Sequence, residues 1–329
     1  MKPVTWGVLS LSAHYKLRIH PNVSHSPLVA LRGIASRTRE RAEAAARELG
    51  FPKAYASYEA LLADKEIEAV YIPLPNHLHA EWVMKAADAG KHVLCEKPFA
   101  LNASEAEKAI RHAERAGVLV MEAFMYRHHP QWKHAREIIK AGEIGEIATI
   151  HTLFSYMNMD PRNIRNILEV GGGAIPDIGC YAVSSARFLL GREPTRVLSL
   201  VRRDPALKTD ILSTGILDFG GARSVFTVTT QSHPAQSVEA LGSGGLLAIH
   251  LPFNAYPDTP MHISVTTGLG TREIALPATD QYVEMFEGFS RAVRGEGPVP
   301  TPPQDAIDNM KVLDALFRSE KSESWEAVK

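Results

Sequence analysis

Strand-length apolar runs alternate with helical patterns over roughly the first 120 residues, and this alternation constrains the fold more than any other feature. Strands separated by helices of about 10–15 residues are typical of βαβ units, whose strands lie parallel in one sheet. The predicted strands are Val4–Leu9, Val29–Ala35, Ala69–Pro73, His92–Glu96 and Val118–Glu122. The predicted helices are Thr38–Leu49, Tyr58–Ala63, Leu78–Ala89 and Ala103–Ala116. The pattern predicts an N-terminal α/β domain, residues 1–123, built on a doubly wound parallel sheet.

After about residue 125 the rhythm changes. Helical patterns at Gln131–Ala141 and Asp177–Leu190 flank a glycine-rich turn, Gly171–Gly173, and helices return at Tyr282–Arg294 and Pro303–Ser319. The intervening β-rich stretches contain no helix, which implies a mainly antiparallel sheet. They are Ala148–Tyr156, Arg196–Arg203, Ser213–Phe219, Ser224–Thr230, Ser237–Leu241, Gly245–Leu251, His262–Thr267 and Arg272–Leu276. We expect a second domain, residues 124–329, whose terminal helices can pack back on the first.

Composition excludes several classes of protein. The 329 residues are 45% hydrophobic and 22% charged, as in an ordinary globular protein. A formal net charge of -1, with both signs interleaved, is not that of a nucleic-acid binder. Cys95 and Cys180 form no CxxC pair, so neither a disulfide scaffold nor a metal site is expected. The start lacks a secretory signal and no stretch is apolar enough to span a membrane, so we expect a cytoplasmic enzyme.

The turn after the first strand is ambiguous by itself. A dinucleotide site uses GxGxxG here, because glycines let the backbone approach the pyrophosphate at a helix N-terminus. This chain has Ser10 and Ser12 in place of the first two glycines, and Tyr15 where a small residue is expected. Serine is small and can donate to phosphate. The segment therefore fits either a dinucleotide site or an ordinary strand-to-helix turn.

The end of the second strand bears on cofactor choice. A site that prefers NAD places a carboxylate here to bind the ribose hydroxyls. The chain instead has Ser36 and Arg37, a hydroxyl and a guanidinium that suit a 2′-phosphate. These residues can also be read as a solvated helix start. We expect NADP in preference to NAD.

Two further clusters carry chemical groups. The strands ending near residues 73 and 96 are followed by Pro75, Asn76 and His79, and by Lys97 after Glu96. Both segments fall at the carboxyl edge of the parallel sheet, where such folds bind ligands. In the second domain Asp177 and Tyr181 are four residues apart and share one helix face.

With these residues the sequence resembles the glucose-fructose oxidoreductase/inositol dehydrogenase (Gfo/Idh/MocA) family of NAD(P)-dependent sugar oxidoreductases. The segments that carry the resemblance are Glu96-Lys97-Pro98, the run from Glu122 to Pro130, Gly171–Gly173 with Asp177 and Tyr181, and Pro300-Thr301-Pro302. They follow the order of the family over nearly the whole chain. With a tyrosine at position 181, the chain resembles the branch of D-xylose 1-dehydrogenases, 1,5-anhydrofructose reductases and dimeric dihydrodiol dehydrogenases. Other branches of the family carry histidine at this position.

The resemblance implies a Rossmann domain followed by an α/β domain with a large open antiparallel sheet. It also implies that Lys97 orients the substrate, that Asp177 binds it, and that Tyr181 is the proton donor or acceptor. Hydride transfer makes or consumes an alkoxide, so a proton must move with it, and a nearby ammonium favours the phenolate. The implied cofactor-binding residues are Ser10, Ser12, Ser36, Arg37, Pro75, Asn76, His79, Glu96, Lys97 and Arg127.

The expected reaction is hydride transfer between NADP and a sugar or polyol, as in an aldose dehydrogenase or a ketosugar reductase. Two alternatives remain open at this point: a catalytically silent NAD(P)-binding regulator, which the altered first turn favours, and an NAD-dependent glycosidase-like relative. Leu11, His14 and Tyr15 depart from the family pattern, and we expect the Tyr15 ring either to crowd the pyrophosphate or to shift the first helix.

Specificity and assembly are expected to depend on the second domain. Its side chains near the substrate are expected among Asn158, Asp160, Arg162, Asn163 and Arg165, whose direction spacing does not reveal. A large bare sheet face invites burial, so we expect a homodimer through that face. The expected partners are thus a small carbohydrate and a second copy of the chain, with no nucleic acid and no membrane.

Overall fold

The computed structural model describes residues 2–329, which divide into two compact units. The first unit contains the residues up to Met125 together with Tyr282–Ile307, and the second contains Tyr126–Gln281 with Asp308–Lys329. The expected boundary at residue 123 lies just before this division. The segment 282–307, assigned above to the second domain, belongs to the first unit, because the buried Trp6 ring packs on Phe286 at 4.8 Å and on Phe289 at 5.8 Å.

A six-stranded parallel sheet forms the centre of the first unit, in the order β3-β2-β1-β4-β5-β6. Its strands are β1 (Val4–Leu9), β2 (Val29–Ala35), β3 (Lys53–Tyr55), β4 (Ala69–Ile72), β5 (His92–Cys95) and β6 (Val120–Glu122). The strand order reverses beside β1, and the carboxyl ends of the strands at this point are where such sheets bind ligands. The edge strand β3 was not predicted, because three half-exposed residues give no readable alternation.

Helices α1 to α5 connect these strands. They are α1 (His20–Val23), α2 (Arg39–Leu49), α3 (Tyr58–Leu62), α4 (His79–Asp88) and α5 (Ala103–Arg115). A later helix, α8 (Gln281–Val293), comes from the C-terminal part of the chain. A π-helical turn, Tyr15–Ile19, precedes α1. The N-termini of α2, α3 and α5 are capped by Thr38, Ser57 and Asn102, whose side-chain oxygens accept a backbone N–H of the first turn. Local capping thus sets where the helices begin.

A nine-stranded sheet forms the second unit, in the order β14-β13-β12-β11-β7-β10-β9-β8-β15. Its strands are β7 (Ile147–Met157), β8 (Arg196–Arg203), β9 (Asp210–Asp218), β10 (Arg223–Thr229), β11 (Gln231–Gly242), β12 (Gly245–Ile249), β13 (Met261–Thr267), β14 (Gly270–Leu276) and β15 (Glu326–Ala327). The neighbours pair antiparallel except β7 with β10, which pair parallel. The predicted α/β architecture, a Rossmann-type parallel sheet followed by a mainly antiparallel sheet, is confirmed.

The two faces of the large sheet differ in exposure. Helices α6 (Pro130–Lys140), α7 (Cys180–Leu190) and α9 (Gln304–Ser322) follow in the chain, and Ser199 of β8 donates from its hydroxyl to Leu316 of α9. On the opposite face, register aligns Leu200, Thr214, Thr227 and Leu153 in one row across β8, β9, β10 and β7. Leu200 is 75% exposed and Leu153 38% exposed. We call this side the open sheet face.

Across residues 2–329, none of the helices is both long enough and apolar enough to cross a membrane.

Candidate active site

The first turn has, at Ser10, a backbone angle that favours glycine, although the turn lacks the glycines of the dinucleotide motif. Ser10, directly after β1, has φ of +134°, a region that glycine enters freely and that strains other residues. The Ser12 hydroxyl accepts the Tyr15 backbone N–H at 3.1 Å and so caps the π-helical turn. The Tyr15 ring is fully buried against Tyr71 and Phe51. The ring therefore lies in the core, and its effect on pyrophosphate binding stays a prediction.

Replacing Ser10 by glycine is expected to stabilise the protein by about 1 kcal/mol, because glycine adopts this φ without strain. The same change is expected to leave NADPH binding intact or tighter, since it restores the residue that dinucleotide turns prefer. Urea unfolding and NADPH fluorescence titration measure the two effects. Ser12→Ala is the matched control, because losing the hydroxyl that accepts the Tyr15 backbone N–H lowers stability by about 1 kcal/mol. A Ser10→Gly protein less stable than the wild type would contradict the assignment.

The end of β2 presents two unengaged donor groups. Ser36 is 5% exposed and its backbone N–H donates to the Tyr55 carbonyl at 3.1 Å. Within residues 2–329 neither the Ser36 hydroxyl nor the Arg37 guanidinium hydrogen-bonds or ion-pairs with another residue. Arg37 is exposed, and the segment up to the α2 cap at Thr38 contains no acid. A hydroxyl and a guanidinium beside a helix N-terminus fit a phosphate and lack the carboxylate of a ribose-diol site.

The motif Glu96-Lys97-Pro98 directly follows β5, and hydrogen bonds of the Glu96 carboxylate hold it in place. The Glu96 carboxylate accepts the hydroxyl of Tyr71, a buried residue of β4, at 2.6 Å. Its other oxygen accepts the Lys97 backbone N–H at 3.3 Å. The negative charge at this strand end thus has two partners, which explains why it is tolerated there. Burial and the Glu96 carboxylate raise the pKa of Tyr71, so its phenol stays a donor.

His79 links the loops that follow β4 and β5. Its ring is fully buried, with Nδ1 2.8 Å from the Pro98 carbonyl oxygen and Nε2 2.7 Å from the Leu74 carbonyl oxygen. Burial lowers its pKa. Both ring nitrogens are therefore occupied by the protein, and the direct contact of His79 with a cofactor stays a prediction. Pro75 and Asn76, partly exposed at the end of β4, lie at the same sheet edge.

In the second unit, Asp177 and Tyr181 lie on a continuous helical segment, a π-helical turn (Ile175–Gly179) followed by α7. Asp177 is 7% exposed, and its Oδ2 accepts the Tyr156 hydroxyl at 2.6 Å and the Arg165 Nε–H at 3.0 Å. Burial and the Asp177 carboxylate raise the pKa of Tyr156. The carboxylate is thus held between the Tyr156 phenol and the Arg165 guanidinium.

The Tyr181 ring is 6% exposed and packs among aromatic side chains. Ring centroids lie 5.2 Å from Phe253, 5.7 Å from Phe154 and 5.9 Å from Tyr126. This packing fixes the ring plane and thereby the direction of its hydroxyl. Such fixed orientation is what a proton donor or acceptor in a reaction requires.

A buried carboxylate holds the start of this helical segment. Asp210, at the beginning of β9, is 1% exposed and accepts the Ile175 backbone N–H at 2.6 Å and the Ser213 hydroxyl at 3.2 Å. A Cβ at Gly173 would lie 1.9 Å from its Oδ1, and φ of Gly173 is +140°. Burial raises the pKa of Asp210 to about 6. The last glycine of the triplet is therefore required by the fit between this loop and Asp210.

Replacing Asp210 by asparagine is expected to change how stability depends on pH. Because the folded pKa is raised from 3.8 to about 6, the folded state gains a proton first as pH falls, and the wild type loses stability as pH rises through this window. Relative to Asp210→Asn, the wild type should lose about 1 kcal/mol between about pH 5 and pH 7.5. Urea unfolding of both proteins at each pH measures it. A difference that does not vary with pH would contradict the buried ionisable carboxylate.

Some of these residues were not indicated by the sequence, and for others it did not show where the side chain lies. Tyr156 and Asp210 carried no motif, and Arg165 was one of several polar residues without a direction. The one available signal was the glycine triplet, since a run of glycines indicates close approach of backbone. Arg127, expected beside the cofactor, donates from Nε to the Tyr126 hydroxyl and from Nη2 to the Ser184 hydroxyl at 2.7 Å. Its cofactor contact stays a prediction.

The predicted site residues fall into two groups. Those in the first unit follow the carboxyl ends of its parallel strands, and they are Ser10, Ser12, Ser36, Arg37, Pro75, Asn76, His79, Glu96 and Lys97. Those in the second unit are Arg127, Asp177 and Tyr181. Residues 2–329 contain no cluster of three side chains able to hold a metal ion. A parallel sheet of this order defines a Rossmann-type domain, the class of fold that binds nucleotide cofactors at the carboxyl ends of its strands.

Comparison with known proteins gives the family. Residues 12–124 match the oxidoreductase family with an NAD-binding Rossmann fold (Gfo/Idh/MocA), and residues 132–248 match the C-terminal domain of that family. The chain belongs to the Gfo/Idh/MocA family and is an NAD(P)-dependent oxidoreductase.

Three similar proteins are informative. An uncharacterised oxidoreductase of Rhizobium meliloti is 40% identical over 100% of both chains. A D-xylose 1-dehydrogenase (NADP(+)) of Haloferax volcanii is 39% identical over 87% of this chain and 88% of its own length. The structure of a 3-ketoreductase from Actinomadura kijaniata with NADP and TDP-benzene is 29% identical, with a TM-score of 0.90 over 96% of this chain and 98% of that one.

Proposed function

We propose that the protein transfers a hydride between NADP and a sugar or polyol, as an aldose dehydrogenase or a ketosugar reductase. The observation that carries this proposal is the oriented set of Asp177 and Tyr181 on one helical segment, with Lys97 at the ligand edge of the Rossmann sheet. The names of the relatives support it, since one is a D-xylose dehydrogenase and another a 3-ketoreductase.

NADP is the proposed cofactor. Ser36 and Arg37 would hold the 2′-phosphate, because both keep their donor groups unengaged at the end of β2 and no acid competes for the position. Ser10 and Ser12 would hold the pyrophosphate at the first turn. The two named relatives support the choice, because one uses NADP(+) and the other was solved with NADP.

The catalytic roles follow from the chemistry of each group. Bound NADP supplies the hydride exchange at its nicotinamide. Tyr181 gives or takes the proton of the substrate oxygen, and the Lys97 ammonium orients that oxygen and stabilises the charge that develops on it. Asp177 accepts a substrate hydroxyl, and its carboxylate is kept in place by Tyr156 and Arg165.

The similar structures include variants that support these assignments. The 3-ketoreductase was also solved with its lysine replaced by alanine or glutamate, and with its tyrosine replaced by phenylalanine. In that enzyme the replaced lysine and tyrosine lie the same number of residues apart as Lys97 and Tyr181. A matching separation supports equivalent positions for the two groups in this chain.

A substrate panel tests the proposal. Purified protein is assayed with aldoses and with 1,5-anhydrofructose, each with NADP(H) and NAD(H), by absorbance of the reduced nicotinamide. The expected result is turnover with at least one sugar, faster with NADP(H). NADPH binding without turnover of any sugar would instead support a silent regulator. Release of nitrophenol from a glycoside without added cofactor would support the glycosidase-like alternative.

We propose a homodimer formed through the open sheet face. Leu153 and Leu200 stand in one row on this face with the threonines between them, and a face of this composition is stabilised by burial against a second copy. In such an isologous dimer the same face of both copies forms the interface, so no other protein is required.

Replacing Leu153 by arginine is expected to weaken this dimer by about a hundred-fold or more, because it would bury an unpaired charge near the centre of the interface. Light scattering after size exclusion, over a range of concentrations, measures the dissociation. Leu269→Arg is the matched control, since Leu269 is fully exposed at the turn between β13 and β14 and should leave the dimer intact. A monomeric wild type, or a dimeric Leu153→Arg protein, would contradict the proposal.

A further inference from the structure

Arg165 is only partly engaged by the protein. Its Nε–H donates to Asp177 Oδ2 at 3.0 Å, and its side chain is 38% exposed where that of Asp177 is 10% exposed. Among residues 2–329, none accepts a hydrogen bond from its two terminal nitrogens. A guanidinium with one edge bound and the other edge bare presents up to four N–H groups to a ligand.

The loop that carries Arg165 is fixed from several sides. The Arg165 backbone N–H donates to the Asn163 side chain at 3.1 Å, and Asn166 Nδ2 donates to the Asp160 carbonyl at 2.9 Å. A Cβ at Gly172 would lie 2.6 Å from the Arg165 carbonyl oxygen, so the glycine-rich turn packs directly on this loop. The guanidinium is therefore held by a preorganised backbone, as a specific binding group requires.

Its neighbours are the groups assigned above to the substrate. Arg165 interacts electrostatically with Asp177, Tyr156 and Tyr181, all of the same unit. Because Asp177 balances its charge, the bare edge suits a neutral acceptor such as a hydroxyl or carbonyl oxygen. Because Arg165 and Asp177 are joined by a hydrogen bond, an oxygen bound at Asp177 brings the oxygen on the adjacent carbon within reach of the Arg165 guanidinium.

We propose that Arg165 determines specificity by binding the oxygen on the carbon next to the reacting carbon. The inference rests on the proposed function and deepens it. The substrates are then 2-hydroxy aldoses or ketoses and vicinal diols, and deoxy analogues are discriminated against. A substrate that lacks this oxygen leaves the donor edge of Arg165 covered and unpaired, which is the most effective way for a site to reject an analogue.

The test compares sugars that differ only in this oxygen. D-Glucose and D-galactose are each paired with the 2-deoxy sugar, in which the missing oxygen neighbours both carbon 1 and carbon 3. The kcat/KM of the wild type should be about ten- to a hundred-fold higher for the hydroxy sugar than for the deoxy sugar. This factor is smaller than at a fully buried site, because Arg165 is partly exposed to water. In Arg165→Gln and Arg165→Lys this ratio should fall to a few-fold, with NADPH binding unchanged. If either Arg165 substitution also displaces Asp177, kcat/KM falls for both sugars, so this effect cancels in the ratio.

Arg272→Gln is the matched control. Arg272 lies on β14 of the same unit, its side chain is 55% exposed, and it pairs with Glu143, so the ratio should keep its wild-type value. A ratio that is equal in the wild type and in both Arg165 variants would overturn this inference alone. A wild type that turns over no sugar with either cofactor would overturn the proposed function, and this inference with it.

Discussion

Lys97→Ala is expected to lower kcat with NADP and a sugar by about a hundred- to ten-thousand-fold, the range typical for loss of a group that assists proton transfer. The physical reason is that the ammonium stabilises the charge that develops on the substrate oxygen. Steady-state kinetics by nicotinamide absorbance measures the loss. NADPH titration should show binding weakened by less than about ten-fold, because the phosphates are held elsewhere.

Lys85→Ala is the matched control for this prediction. Lys85 lies on α4 of the same unit, is 41% exposed and pairs with Glu81 at 2.6 Å, so its loss should leave turnover unchanged. A Lys97→Ala protein with turnover within a few-fold of the wild type would contradict the assignment of Lys97.

Tyr181→Phe is expected to lower kcat by a similar factor, about a hundred- to ten-thousand-fold, with little change in KM. Phenylalanine keeps the ring that packs on Phe154 and Phe253, so stability should change by less than about 1 kcal/mol. Only the proton-transferring hydroxyl is lost.

Tyr256→Phe serves as the control, since Tyr256 is 53% exposed and, within residues 2–329, forms no hydrogen bond or ring contact with the proposed site residues. Retained turnover in Tyr181→Phe would move the proton-transfer role to another group. The neighbouring phenol of Tyr156 is a poor candidate, because burial and the Asp177 carboxylate raise its pKa.

Much of the fold was readable from the sequence, because periodicity is a local property. The runs at Val4–Leu9 and Val29–Ala35 became strands with those bounds, since each is apolar enough to be buried. Short edge elements were missed. Strand β3 (Lys53–Tyr55) pairs only with β2, and β15 (Glu326–Ala327) has two residues, so neither leaves a pattern.

The return of segment 282–307 to the first unit also lay beyond the local pattern. Its apolar stripe predicts a helix but not the surface on which the helix packs. The contact of Trp6 with Phe286 and Phe289 joins the two ends of the chain and depends on the folded core.

The sequence alone determined which chemical groups the proposed site contains. They are a lysine after a parallel strand, an aspartate and a tyrosine on one helical segment, and a strand end that lacks an acidic residue. These follow from residue type and spacing. Only the tertiary structure decided how the groups are held. In the folded chain, Asp210 accepts the Ile175 backbone N–H at the start of the helical segment. The His79 ring lies between two backbone carbonyls, and Arg165 donates to Asp177. Such contacts join residues far apart in the chain, and their geometry is set by packing, which no local pattern encodes.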